Sequence, residues 1–394
     1  MSDPDGRPDP FEGMPPIFGD LARMFQQQGS PGWEAARQLA LGVATGHTSE
    51  PNVDPVDRMA LEQLARVAEL KVADATGLPT SRTGRGLQLV AATRTQWVQR
   101  TLDDWRPYFD LLATSLDDTD AGPDADLPGL TGDAMAWMAP LMKMVGPMLL
   151  GLTAGSMVGH LAQRCFGFYD LPLPRPAGDE VLVLLGNLDE FGREWSLPAD
   201  DLRLWVCLHE VTHHAVLGVP HVRARLDALL REYLAGFEAD PGGLESRLGG
   251  LDATDPAGFQ SMLGDPEVLL GMIQSPQQQA MLPQLQALVS TLVGYVDHVM
   301  DRVGGGLIGA YGMVTEAVRR RRVETDQSSR FAERLFGLEL TQAAVDRGSA
   351  FVDGVVERAG EEGLERLWRS ERELPTPAEV DAPGLWLARI DLPE

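Results

Sequence analysis

The sequence predicts a mainly α protein, a set of helices in one domain with a small β element just ahead of a central helix. Three observations predict it. Apolar residues recur at helical spacing over long tracts, as at Leu61, Leu64, Val67 and Leu70. Val181 to Leu185 is one of few runs that read as a buried strand. A helix with start and stop signals then follows, from about Ala199 to Leu217.

The chain has 394 residues, 44% of them hydrophobic, enough to bury a sizeable core. Its formal charge of −25 repels phosphate backbones and anionic lipid headgroups, so neither nucleic acid nor a membrane surface is an expected partner. Two cysteines, Cys165 and Cys207, are too few for a disulfide framework and suit a reducing compartment. The first residues show neither the basic nor the apolar region of a signal peptide. A cytoplasmic protein is expected, and the oligomeric state is not legible.

Residues 1–30, rich in Pro, Gly and Asp, are expected to be a disordered acidic tail. Residues 31–394 form the expected single helical domain, with 31–165 a candidate helical subdomain. A helical zone runs from Trp33 to Leu112, and Asp117 to Gly132 reads as an acidic loop. Ala134 to Gln163 is the most apolar stretch, with Gly151, Gly155 and Gly159 at small-xxx-small spacing. That spacing suits a membrane helix or a tightly packed buried helix pair; Thr153, Ser156, His160 and Gln163 favour the second. Val181–Leu185 ends at Gly186-Asn187. Asp200 and Asp201 suit the first turn of the next helix, and Gly218 and Pro220 end it. Further helices are expected over His221–Phe237, Leu282–Val303, Thr315–Arg322, Ser328–Leu335 and Thr341–Ala359. Asp240 to Gln279 holds short helical pieces, and the Pro-rich last twenty residues are expected to be extended.

The central helix contains His209-Glu210-Val211-Thr212-His213, an H-E-x-x-H motif. Residues four apart share a helix face, so both imidazoles can reach one Zn²⁺. The Glu after the first His lies beside the metal and can take the proton of the bound water, whose pKa zinc lowers towards neutrality. The bland alternative is an amphipathic helix with surface histidines; the uncharged surroundings and the preceding strand argue against it. Zn²⁺ on His209 and His213, with Glu210 as general base, is therefore expected.

The third ligand is harder to read. A metzincin site would need His six residues after His213, where Val219 stands, and His221 comes two residues late. Glu232 on the next helix is a candidate and may equally be a solvated surface residue. On the helix around Leu292 to Asp301, Asp297 and Asp301 share a face with His298 beside it, so a buried polar role or an ordinary acidic face both fit.

Three stretches, Cys165-Phe166-Gly167-Phe168-Tyr169-Asp170-Leu171-Pro172, Leu204 to His213, and Gly294 to Gly304, carry a resemblance. With Trp33 to Val43, Gly218-Val219-Pro220-His221 and Glu373 to Glu379, the chain resembles a zincin-like family of zinc-dependent metalloproteases found in actinobacteria. That family is often labelled as associated with deazaflavin-coenzyme biosynthesis, and no residue here suggests a flavin site. The resemblance implies a mainly α zincin-like fold and a zinc hydrolase. It also implies a Glu ligand at the position of Val293, which cannot bind metal. Asp297 is then the expected third ligand.

Arg319 to Arg322 could clamp an anionic substrate or simply end a helix. Cys207 reads as core, and so does Tyr295. The expected function is a zinc-dependent hydrolase, a metallopeptidase acting on a peptide or small amide; the alternative is a zincin-fold scaffold or binding protein that Val293 has left weak or inactive.

Overall fold

The structure is a computed structural model that describes residues 31–117, 150–239, 272–324, 327–338 and 340–392. The expected tail, most of the acidic loop, residues 134–149 of the apolar stretch and 240–271 lie outside the described residues.

The first two helices of the described residues are α1 (Pro31–Thr45) and α2 (Pro55–Thr76). Asp54 caps α2 by accepting the Val56 N–H at 2.8 Å, and Gly77 ends it at φ 66°, a backbone conformation that costs glycine nothing. Strand β1 (Gln88–Ala91) interrupts the expected helical zone before α3 (Arg94–Asp117). Residues 150–164 are helical (α4). Within this described part of the apolar stretch, the glycines lie against α1. A Cβ at Gly151 would lie 2.8 Å from the Gly32 carbonyl oxygen, and one at Gly159 would lie 2.8 Å from that of Ala40. The small residues let α4 touch the backbone of α1. No helix among the described residues is long and apolar enough to cross a membrane.

Strand β2 (Glu180–Val183) pairs in parallel with β1, Gln88 opposite Glu180 and Ala91 opposite Val183. It is shorter than expected, because Leu185 already begins helix α5 (Leu185–Glu194), whose apolar side, Leu188 and Phe191, is buried. The motif helix α6 (Ala199–Val216) follows, then α7 (Pro220–Ala235). Strands β3 (Phe237–Ala239) and β4 (Met272–Gln274) form an antiparallel pair.

Helix α8 (Pro276–Gly304) is a turn and a half longer at its start than the periodicity suggested, because Ser275 and Gln278 form a reciprocal capping box ahead of Pro283. It packs along α11 (Gln342–Glu365), with α9 (Tyr311–Val323) and α10 (Gln327–Leu335) between them in sequence. The chain end is not extended: α12 (Pro377–Val380) and α13 (Pro383–Ile390) fold back on α11, driven by full burial of Trp386. Helices α2, α5, α8 and α9 all pack against α6.

Candidate functional site

Helix α6 is buried on nearly every side, with Trp205, Val206, Cys207, Leu208, Val211 and Ala215 all in the core. Cys207 is fully buried, as its reading as core requires. The two motif histidines lie one turn apart, ring centroids 4.3 Å from each other. Each is backed by an aromatic ring: Trp205 stacks on His209 at 5.1 Å, and Tyr169 stacks on His213 at 5.9 Å. The His213 Nδ1 lies 3.2 Å from the His209 carbonyl oxygen, a bond in which the ring donates. Burial holds the His213 pKa well below the usual value, with the charges of His209 and Arg322 acting in the same sense. Burial therefore disfavours the charged form of His213.

Glu210 does something the motif alone does not reveal. Its side chain is fully buried. Its Oε2 accepts the Phe168 N–H at 2.8 Å and the Tyr169 N–H at 3.1 Å. Gly167 faces the same carboxylate so closely that any Cβ there would collide with it. Asp170 takes the two preceding donors, the N–H groups of Phe166 at 2.7 Å and Gly167 at 2.9 Å. Four successive backbone N–H groups, 166 to 169, are thus held by two carboxylates. The loop's outward groups are engaged as well: Trp97 donates to the Gly167 carbonyl, and Arg175 to that of Phe168. Burial raises the Glu210 pKa; contact with His209 and the Phe168 N–H oppose it.

Behind the motif, His214 turns the other way. Its Nδ1 lies within hydrogen-bond distance of the Tyr169 hydroxyl, at 3.1 Å, and Arg82 donates to that hydroxyl at 3.3 Å. Burial and the Arg82 charge bring its pKa down to about 3. It orients Tyr169 behind His213.

Helix α8 packs on α6. Asp297, however, is held in a two-point ion pair by Arg322 of α9, at 3.0 and 3.1 Å. Burial works to raise its pKa, but the Arg322 charge and hydrogen bonds outweigh this and hold the carboxyl below its usual range. Val293, one turn earlier, is buried in the apolar core. The other candidates are elsewhere: His298 pairs with Glu361 at 2.9 Å, and Glu232 is exposed on α7. Tyr295 packs edge-on to Trp368 at 4.6 Å. Among the described residues, no three His, Cys, Asp or Glu side chains gather as a group able to hold a metal.

The arginine run ends α9 as one reading had it, with Arg319 and Arg320 exposed, but Arg321 and Arg322 turn inward. Arg319 pairs with Asp301, Arg320 with Glu316, Arg321 with Asp170, and Arg322 with Asp297. Arg321 also lies over the Phe166 ring, 3.7 Å from its centroid. A cleft beside the motif is lined by Trp205, His209, Phe166, Asp170, Arg321 and Arg322. Sequence reasoning missed Asp170 and the inward turn of Arg321 and Arg322; the run of four arginines at the end of α9 was the available signal. For zinc, the test is the donor set. Two imidazoles are well placed, but Asp297, the expected third ligand, is committed to a guanidinium. These residues do not fit a zinc held by three protein ligands.

Comparison with known proteins places the whole fold. A crystal structure from Chloroflexus aurantiacus, described as "a putative hydrolase with a novel fold", matches with a TM-score of 0.61 and 25% identity, covering 92% of this chain and 99% of that one. No match was found among curated proteins. The zincin-like metallopeptidase family model matches residues 32–387, a span that includes α6 and its histidines, and the chain belongs to that family.

Proposed function

We propose that this member of a metallopeptidase family is a zincin-fold binding protein that has kept the histidine half of the motif and lost most or all hydrolysis. The observation that carries the reading is the position of the Glu210 carboxylate. A general base must reach the water it deprotonates and have a free lone pair for the proton. Glu210 is fully buried, its Oε2 accepts the N–H groups of Phe168 and Tyr169, and its Oε1 lies between the Tyr169 N–H and His209 Nδ1, 3.4 Å from each. The cleft beside His209 offers aromatic surface from Trp205 and Phe166 with a few charged groups at its edge, which suits a peptide segment.

A second reading is the zinc-dependent hydrolase expected from the motif, with zinc on His209, His213 and Asp297 and Glu210 as base. What favours it is the pairing of His209 and His213 one turn apart, with rings 4.3 Å from each other. It requires Asp297 to leave Arg322 and Glu210 to leave its loop.

The test is hydrolysis of a mixed peptide library by the purified chain, with and without added zinc. The proposed reading expects no cleavage above that of the His209→Ala/His213→Ala variant, together with retained peptide binding. Zinc-stimulated cleavage that disappears in Glu210→Gln would establish the hydrolase instead.

A further inference from the structure

We infer that Arg322 supplies the positive charge that a metal would bring to this site, so that the chain folds and persists without one. A buried carboxylate needs a cationic partner or strong donors, or it is neutralised at a cost. Asp297 is 6% exposed, and both terminal nitrogens of Arg322 meet its two oxygens. This planar two-point fit is the geometry in which guanidinium binds carboxylate best.

The same guanidinium lines the cleft into which His209 faces, with Arg321 beside it. A divalent ion approaching the two imidazoles would meet a buried like charge. To recruit Asp297 it would have to unpair Arg322, which would leave a cation in the interior without a partner. The position one turn before Asp297 cannot compensate, because Val293 is apolar and packed in the core. The two outer arginines of α9 are occupied with Asp301 and Glu316, so only Arg321 and Arg322 are directed inward. The inference deepens the non-catalytic reading and rests on it in one respect: a site without a metal has no zinc-bound water for Glu210 to deprotonate.

The experiment is zinc content and melting temperature of the full chain after dialysis against a chelator, then after adding back zinc. Wild type is expected to hold far less than one zinc per chain, with a melting temperature that neither treatment moves. Arg322→Met should melt lower, by on the order of 5 °C, and should gain a zinc-dependent rise that a further Asp297→Asn change removes. Arg322→Lys keeps the charge and should fold without responding to zinc, which keeps the test decisive if Arg322→Met is insoluble. One zinc per wild-type chain surviving dialysis, a zinc-dependent rise in wild type, or zinc stabilisation of Arg322→Lys would each overturn the inference. None of these readouts uses turnover. A metal-free chain that cleaved peptides would therefore overturn the proposed function alone, and a zinc-loaded inactive chain would overturn this inference alone.

Discussion

The Asp297 carboxylate and the Arg322 guanidinium meet at two points, 3.0 and 3.1 Å, with 8% and 17% of their side chains exposed. Each partner is the main reason the other can be buried. Removing one leaves a charge in a medium that solvates it poorly. Asp297→Asn and Arg322→Met should each lower the unfolding free energy by about 3–5 kcal/mol, and the double variant should lose much less than the sum. Urea denaturation of the four proteins in this cycle measures the coupling. Strict additivity would show that the two groups do not depend on each other.

Glu210 should behave as a structural acceptor. Glu210→Ala removes the partner of two buried N–H groups and opens a cavity, so it should cost about 3 kcal/mol or more. Glu210→Gln keeps one carbonyl oxygen for the same donors and should retain most of the stability. A residue held only for catalysis would give the opposite pattern, with Glu210→Ala as stable as wild type or more so. Equilibrium unfolding of the two variants separates the cases.

Helices α8 and α11 touch through Gly294 and Gly348. A Cβ at Gly348 would strike the Ser290 carbonyl, and one at Gly294 would strike the backbone of Gly348. Backbone cannot move aside as a flexible side chain can, so Gly348→Ala should cost more than the ~1–3 kcal/mol typical of overpacking. Gly306→Ala is the control: nothing lies within 4 Å of its added Cβ, and its effect should stay within about 0.5 kcal/mol. Thermal melts of the two variants test the contrast.

Asp179 gives a pH prediction. Its carboxylate accepts the Arg82 N–H at 2.5 Å, the Thr83 N–H at 3.0 Å and the Ser81 hydroxyl at 3.0 Å, tying that turn to the start of β2. Burial alone would raise its pKa, but these hydrogen bonds bring it down to about 2. The folded state therefore prefers the charged form more strongly than the unfolded chain does. The stabilisation is fully present above about pH 4 and is lost as pH falls towards 2. Asp179→Asn should be less stable at pH 7, and its stability should fall less steeply than that of wild type between pH 4 and pH 2. Parallel pH profiles of the urea midpoint would defeat this expectation.

Restoring the missing carboxylate is a constructive test. Val293→Glu combined with Arg322→Met should bind zinc more tightly than Arg322→Met alone. It should be poorly stable without zinc, since Val293 sits in the core. Zinc titration followed by melting temperature reads both effects.

Sequence by itself determined the helical class, the motif helix and its ends, and the presence of His209, Glu210 and His213 on it. These are local properties: helical period, caps and turn residues act within a few positions of one another. It also determined that Val293 brings no ligand, because that is fixed by side-chain chemistry. Only the tertiary structure decided what the polar residues touch. Nothing within α6 says that Glu210 faces the N–H groups of Phe168 and Tyr169, some forty residues earlier. Nothing within α8 says that Asp297 is claimed by Arg322 from the next helix. A buried charge takes whichever partner the packing brings within about 3 Å. That partner is chosen by the way α8, α9 and the 165–170 loop close around α6, which no single stretch of sequence encodes.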